Sequence, residues 1–95
     1  MFQNPLFNAN KLKLGIFGTN GKGGAQTLVR EAYKPTWENA VHPAQMADRA
    51  GFEAIVAYAR WQGYMRGRPG HASGVVLGPF TFAAGISQVT SYSTV

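Results

Sequence analysis

The sequence predicts an α/β domain built on parallel strands. Two short apolar runs, 12–18 and 54–59, are bounded by turn residues and are typical of strands. Apolar residues at helical spacing fill 37–50, between the two runs. The second run has little polar alternation, which favours a parallel strand buried on both faces. A strand, helix, strand order of this kind predicts parallel pairing with a right-handed crossover.

The first third of the chain predicts one strand followed by a glycine-rich loop. Residues 1–10 are polar and predict a flexible arm, so the folded domain is expected over 11–95. Residues 19–24 form a loop in which glycine allows positive φ. Residues 25–33 predict a short helix or an irregular excursion.

The first helix has a clear start and stop. Thr36 is a suitable N-cap and Gly51 a suitable stop signal. Pro43 removes a hydrogen bond inside the helix and is expected to kink it. The remaining segments predict a long loop over 62–79, a second helix over 80–89 and the start of a third strand over 90–95.

Composition excludes several classes of protein. The chain has no cysteine, which excludes disulfides and thiolate zinc sites. It lacks a run of about 18 apolar residues, so no membrane span is expected, and its start does not resemble a signal peptide, which favours the cytoplasm. The net charge of +5 suggests a small basic nucleic-acid-binding module. Because the basic residues are spread along the chain, no nucleic-acid partner is expected, and this reading remains an alternative.

The loop 18–23 reads Gly-Thr-Asn-Gly-Lys-Gly directly after a strand. Backbone N–H groups and a lysine in such a loop can cradle a phosphate. The hexapeptide resembles the phosphate loop of folylpolyglutamate synthetases, although Gly24 stands where those enzymes carry a hydroxyl residue. An ATP-binding site is therefore a second alternative, beside a plain glycine-rich loop.

The charged residues contain one candidate for ligand binding. Arg60 follows the second apolar run, so its guanidinium is expected at the carboxyl edge of the sheet, where it suits an oxyanion. Trp61 and Tyr64 could supply flat surfaces beside it, whereas the plainer reading is a solvated arginine. The acids are read as helix-surface or capping charges, and neither histidine has a second ligand at metal spacing, so no metal site is expected.

A series of short motifs follows in order along the chain: Leu-Lys-Leu-Gly-Ile-Phe at 12–17, Trp-Glu-Asn at 37–39, Ala-Gln-Met-Ala-Asp at 44–48, Ala-Gly-Phe-Glu at 50–53, Ala-Arg-Trp-x-Gly-Tyr at 59–64 and Phe-Thr-Phe-Ala-Ala-Gly-Ile at 80–86. In this order the motifs resemble the bacterial luciferase-like flavin monooxygenases, closest to the dimethylsulfone monooxygenases and pyrimidine oxygenases. The resemblance implies the amino-terminal β-α-β-α portion of a TIM (β/α)8 barrel, incomplete in this chain. It also implies reduced FMN and O2 as cofactors, a small organosulfur or heterocyclic substrate, a separate NAD(P)H:flavin reductase, and a full-length form that is a homo-oligomer.

The resemblance also implies a set of site residues. No catalytic residue is assigned, because the later strands of the barrel would carry most of them, and the 95-residue chain alone is expected to be inactive. The residues expected to contact FMN are Ala59 and Arg60, and the expected rim of the flavin and substrate pocket is Phe17, Gly18, Asn20, Trp61 and Tyr64.

Overall fold

The computed structural model describes residues 3–22, 29–65, 67–68 and 71–95, so residues 25–28 of the predicted excursion at 25–33 lie outside the described residues. Two single 3-10 turns, Pro5–Phe7 and Ala72–Gly74, precede β1 and α2 respectively. The helices and strands, in chain order, are β1 (Gly15–Phe17), α1 (Trp37–Arg49), β2 (Ala54–Val56) and α2 (Pro79–Ser87).

The two strands pair in parallel, which confirms the α/β class with a parallel sheet. Ile16 stands opposite Ile55 in the ladder. On the other edge of β2, Thr94 forms a parallel bridge to Ala54, and the Ile55 N–H donates to the Thr94 carbonyl at 2.8 Å. The chain near its carboxyl end therefore lies beside β2 as the predicted third strand would. Closure into a barrel remains a prediction.

Both strands are shorter than the apolar runs that predict them, for local reasons. Gly18 has φ of 78°, which turns the chain at the end of β1. In β2 the ladder stops after Val56, because the Tyr58 N–H donates to the side chain of Asn20 at 3.1 Å instead of to a backbone carbonyl. The apolar runs thus include the loop residues that follow each strand.

Helix α1 has the predicted boundaries. The Thr36 Oγ1 accepts the Asn39 N–H at 3.2 Å, and Gly51 follows the helix with φ of 83°. The helix continues through Pro43 to Arg49. Among the described residues, neither helix is long and apolar enough to cross a bilayer.

The core lies between the helices and one face of the sheet. Its buried members are Ala40 and Ala44 from α1, Ile55 from β2, and Phe82 and Ile86 from α2. The small alanines allow α1 to approach the sheet closely, and long side chains from α2 fill the remaining space.

The opposite face of the sheet is open. Because successive strand side chains point to opposite faces, Ile16 and Ile55 face the helices while Phe17 and Val56 face away from them. Phe17 is 69% exposed and Val56 is 46% exposed. A parallel sheet is ordinarily covered on both faces, so this apolar face is unusual for a protein of this class.

Buried Glu53 binds the amino-terminal arm at the edge of the sheet where the strands begin. The expectation that Glu53 is a surface or capping charge is wrong: its side chain is 2% exposed. Its carboxylate accepts from Asn10 Nδ2 at 2.7 Å, the Leu14 N–H at 2.9 Å and Asn8 Nδ2 at 3.1 Å. These donors lower the pKa of Glu53 to about 2, against the opposing effect of burial. The described part of the 1–10 arm is thereby attached to the sheet.

Asp48, near the end of α1, binds the segment 91–93 at the same edge of the sheet. Its carboxylate accepts the N–H groups of Tyr92 and Ser93 at 2.7 Å and of Ser91 at 3.0 Å. Burial raises the pKa of Asp48, but the donors from Ser93, Ser91 and Tyr92 outweigh it and lower the pKa to about 2. The carboxylate therefore caps three consecutive backbone groups just before Thr94.

Candidate functional site

The loops that follow the two strands meet at the carboxyl edge of the sheet, and Asn20 joins them. The side chain is 0% exposed. Its Nδ2 donates to the carbonyl oxygens of Tyr58 at 2.9 Å and Leu77 at 3.0 Å, and its Oδ1 accepts the Tyr58 N–H at 3.1 Å. One buried amide therefore connects the loop after β1, the loop after β2 and the segment before α2.

Tyr58 packs over the first loop. Its ring lies 5.9 Å from the ring of Phe17, centroid to centroid. A Cβ at Gly21 would lie 1.7 Å from the Tyr58 hydroxyl oxygen, a distance at which no side chain fits. Gly18 has positive φ, and a Cβ there would lie 3.2 Å from the Tyr58 ring. These contacts and backbone angles explain both glycines without a bound phosphate.

The backbone N–H groups of the glycine loop are largely engaged within the protein. Gly18 donates to the Val56 carbonyl at 2.9 Å, Gly21 to the Gly18 carbonyl at 3.2 Å and Lys22 to the Val75 carbonyl at 2.9 Å. A phosphate loop needs such groups directed at the ligand. In the described part of this loop, residues 18–22, these three N–H groups are not available to a ligand, which weighs against the ATP-binding alternative. Residues 23–28 lie outside the described residues.

Arg60 lies at the same edge, held by two aromatic rings and one carbonyl. Its guanidinium carbon is 5.0 Å from the ring centroid of Tyr58 and 5.2 Å from that of Tyr64. Its NH1 group donates to the Ser73 carbonyl at 2.9 Å. Contacts of this kind hold a flexible side chain in one orientation. Because a guanidinium has five N–H donors, this arginine keeps donors that a ligand could use.

The loop that accepts from Arg60 is ordered by His71. The His71 Nδ1 accepts the Ser73 N–H at 3.1 Å and lies 2.9 Å from the Ser73 Oγ, which caps the 3-10 turn Ala72–Gly74. The His71 ring meets the Tyr64 ring edge-on at 5.7 Å. Gly63 packs against the same turn, since a Cβ there would lie 2.8 Å from the Ser73 Oγ.

The residues predicted for the site lie in three different settings. Phe17, Arg60 and Tyr64 form one cluster through Tyr58, which contacts both Phe17 and Arg60. Asn20 is buried beneath the cluster and is saturated by backbone partners. The remaining predicted residues lie as follows: Gly18 in the turn after β1, Ala59 exposed between Tyr58 and Arg60, and Trp61 92% exposed.

Sequence reasoning missed Tyr58, His71 and Ser73 as parts of the cluster. A signal for Tyr58 was present, because Tyr58 and Arg60 are two residues apart after a strand and so fall on one side of an extended chain. The link from His71 and Ser73 to Arg60 depends on how a long loop returns to the sheet, which spacing does not reveal. Among the described residues, no three His, Asp or Glu side chains lie close enough together to hold a metal ion.

A cleft of about 620 Å³ lies beside the start of α1 and shares no lining residue with the Arg60 cluster. Tyr33 lies in its wall and donates its hydroxyl to the Thr19 carbonyl at 2.6 Å, and burial raises the pKa of Tyr33. Charges of both signs line it, which favours no particular ligand class. The residues that line the cleft are Arg30, Glu31, Ala32, Tyr33, Lys34, Asn39, His42 and Pro43.

The chain matches no protein-family model, no curated protein and no solved structure.

Proposed function

We propose that this chain is the β1-α1-β2-α2 part of a luciferase-like flavin monooxygenase, and that Arg60 contacts the flavin. The observation that carries the proposal is a guanidinium fixed between two tyrosine rings where two parallel strands end. Ligands and catalytic groups collect at this edge in α/β proteins. The ordered motifs of the sequence supply the family.

The donor chemistry of the cluster suits FMN. Arg60 uses NH1 on the Ser73 carbonyl and can direct its other donors at an anionic oxygen, either of the phosphate or of the flavin ring. Phe17 and Tyr64 expose flat apolar surface beside it. Asp48 and Glu53 both lie at the amino-terminal edge, so neither opposes an anion at Arg60.

Reduced FMN, when bound, would activate O2 for transfer to a small organic substrate, either an organosulfur compound or a heterocycle. The residues of this chain would orient the flavin and shield one side of it from water. Asn20 would not contact the flavin but would position Tyr58, because its side chain binds the Tyr58 backbone. The proposal includes a separate NAD(P)H:flavin reductase as partner, a cytoplasmic location and a homo-oligomeric full-length enzyme.

The open face of the sheet supports the barrel part of the proposal. Phe17 and Val56 expose apolar side chains on that face, and in a (β/α)8 barrel it would be the packed interior. The edge of β2 already accepts a third parallel segment at Thr94. Without further strands, the flavin would contact one wall of its pocket, so we expect the 95-residue chain to bind FMN weakly and to lack monooxygenase activity.

The test is a titration of the 95-residue chain with FMN, in which backbone NMR chemical shifts are recorded at each FMN concentration. We expect shifts at Phe17, Arg60 and Tyr64. In Arg60→Ala the affinity should fall roughly 10- to 150-fold, because a hydrogen bond to a charged group contributes about 1.5–3 kcal/mol. Arg49→Ala, which removes the same charge from the exposed end of α1, is the matched control and should leave the shifts unchanged.

Two results would count against this function. The first is the absence of any FMN-dependent shift at millimolar ligand. The second is a set of shifts produced by magnesium and ATP in the loop 18–23 and removed by Lys22→Ala, which would support the phosphate-loop alternative.

A further inference from the structure

Arg60 and three neighbouring residues form a closed ring of contacts. Arg60 donates to the Ser73 carbonyl, the Ser73 N–H donates to His71, the His71 ring contacts Tyr64, and Tyr64 lies under the Arg60 guanidinium. Ser73 is buried and contributes its backbone to both neighbours. The position of the guanidinium therefore depends on the turn that His71 caps.

The cap requires one protonation state of His71. A backbone N–H is always a donor, so the His71 Nδ1 that faces the Ser73 N–H must carry a lone pair. The Ser73 hydroxyl can donate to the same nitrogen. This assigns the proton of the neutral ring to Nε2. An imidazolium carries a proton on both nitrogens, so its Nδ1 could still donate to the Ser73 Oγ, but the Ser73 N–H would lose its acceptor.

Among the described residues that contact His71 or its turn, none is an acid that would stabilise the protonated ring. Tyr64 faces the ring, Arg60 lies beyond Ser73, and the His71 N–H donates to the Arg68 carbonyl at 3.1 Å. Lys22 donates its N–H to Val75, just after the turn. These neighbours are neutral or basic.

We propose that His71 is a positioning residue for Arg60 and that it works only as the neutral imidazole. When His71 takes up a proton, the turn Ala72–Gly74 loses its cap and the Ser73 carbonyl no longer holds Arg60. Anion binding at Arg60 then weakens on acidification. This inference rests on the proposed function insofar as the anion is a flavin, although the positioning itself does not depend on the ligand.

The direction of the pH effect separates positioning from simple electrostatics. A new positive charge near Arg60 would by itself strengthen anion binding as the pH falls. Loss of positioning has the opposite sign. Measurements at pH 5 and pH 8 therefore distinguish the two accounts by the sign of the change.

The experiment uses the 95-residue chain with sulfate as the probe, because sulfate keeps its charge between pH 5 and 8. We expect sulfate to bind about 2- to 10-fold more weakly at pH 5 than at pH 8, as for the loss of one ordinary hydrogen bond. The side-chain resonance of Arg60 should move with the titration of His71 in the absence of any ligand.

Two substitutions of His71 distinguish the roles of its ring nitrogens, and one substitution of His42 is the control. His71→Asn keeps an acceptor at the place of Nδ1 but cannot titrate, so it should bind sulfate equally at both pH values. His71→Gln moves its amide toward the place of Nε2 and should bind weakly at both. His42→Asn, on the exposed face of α1, is the control and should behave as the wild type.

The proposal is overturned if sulfate binds more tightly at pH 5, or if the Arg60 resonance stays unchanged while His71 titrates fully. It is equally overturned if His71→Asn keeps the wild-type pH dependence. A failure of FMN to bind would refute the flavin function but would leave the Arg60 resonance as an independent readout of the positioning role.

Discussion

The substitution Asn20→Asp tests whether the buried amide holds the loops of the site together. Asp keeps an oxygen for the Tyr58 N–H but removes both N–H donors, so the carbonyls of Tyr58 and Leu77 would face a carboxylate. Each buried acceptor left without a donor costs about 1–3 kcal/mol. Two such losses give about 2–6 kcal/mol, a large part of the 5–15 kcal/mol that is typical of a domain.

The assay is urea unfolding at pH 7, followed by tryptophan fluorescence and by far-UV circular dichroism. Asn39→Asp is the matched control, because Asn39 is exposed in the first turn of α1 and makes one side-chain bond, to the Lys34 carbonyl at 2.9 Å. An acid there interacts favourably with the helix dipole, so we expect a change within about 1 kcal/mol. If Asn20→Asp also stays within about 1 kcal/mol of the wild type, the amide does not hold these loops.

Two further predictions concern the packing and the amino-terminal edge. Gly85→Ala sets a methyl group 2.3 Å from the edge of the half-exposed Trp37 ring, so the indole must move. The cost of about 1–3 kcal/mol is offset by about 0.5–1 kcal/mol, because alanine is the better helix former, so urea unfolding should show a net loss of at most about 2.5 kcal/mol. The tryptophan emission should shift, and an unchanged emission would mean that the indole does not rest on α2. The pKa of Glu53 is about 2 in the folded chain and 4.5 without its partners, so the unfolded chain takes up the proton first as the pH falls. The stability from Glu53 should therefore be complete above about pH 5 and decline toward pH 2. In Glu53→Gln the slope of unfolding free energy against pH should be flatter over that window, and a slope equal to that of the wild type would contradict this account.

The element order was predictable because local signals agree with the tertiary fold. Thr36 and Gly51 mark α1 through capping and positive φ, which are properties of single residues. The strand positions followed from apolar runs, but their lengths did not. The end of β2 depends on Asn20, a residue 38 positions away that replaces the backbone partner of Tyr58.

The same distinction applies to the site. The place of Arg60 followed from its position after a strand, whereas its partners depend on the return of the chain at Ser73. Glu53 was misread because its donors lie 39 to 45 positions away, on the arm and at Leu14. A charge in the turn between a helix and a strand looks solvated until the segment that covers it is known.

The three N–H groups bound by Asp48 have a consequence for assembly. One carboxylate that accepts from residues 91, 92 and 93 sets where the chain stops turning and begins to run alongside Ala54. A slip of one position would send every following side chain to the wrong side of a strand. The end of the first helix therefore sets the alignment of the chain at Thr94 beside Ala54.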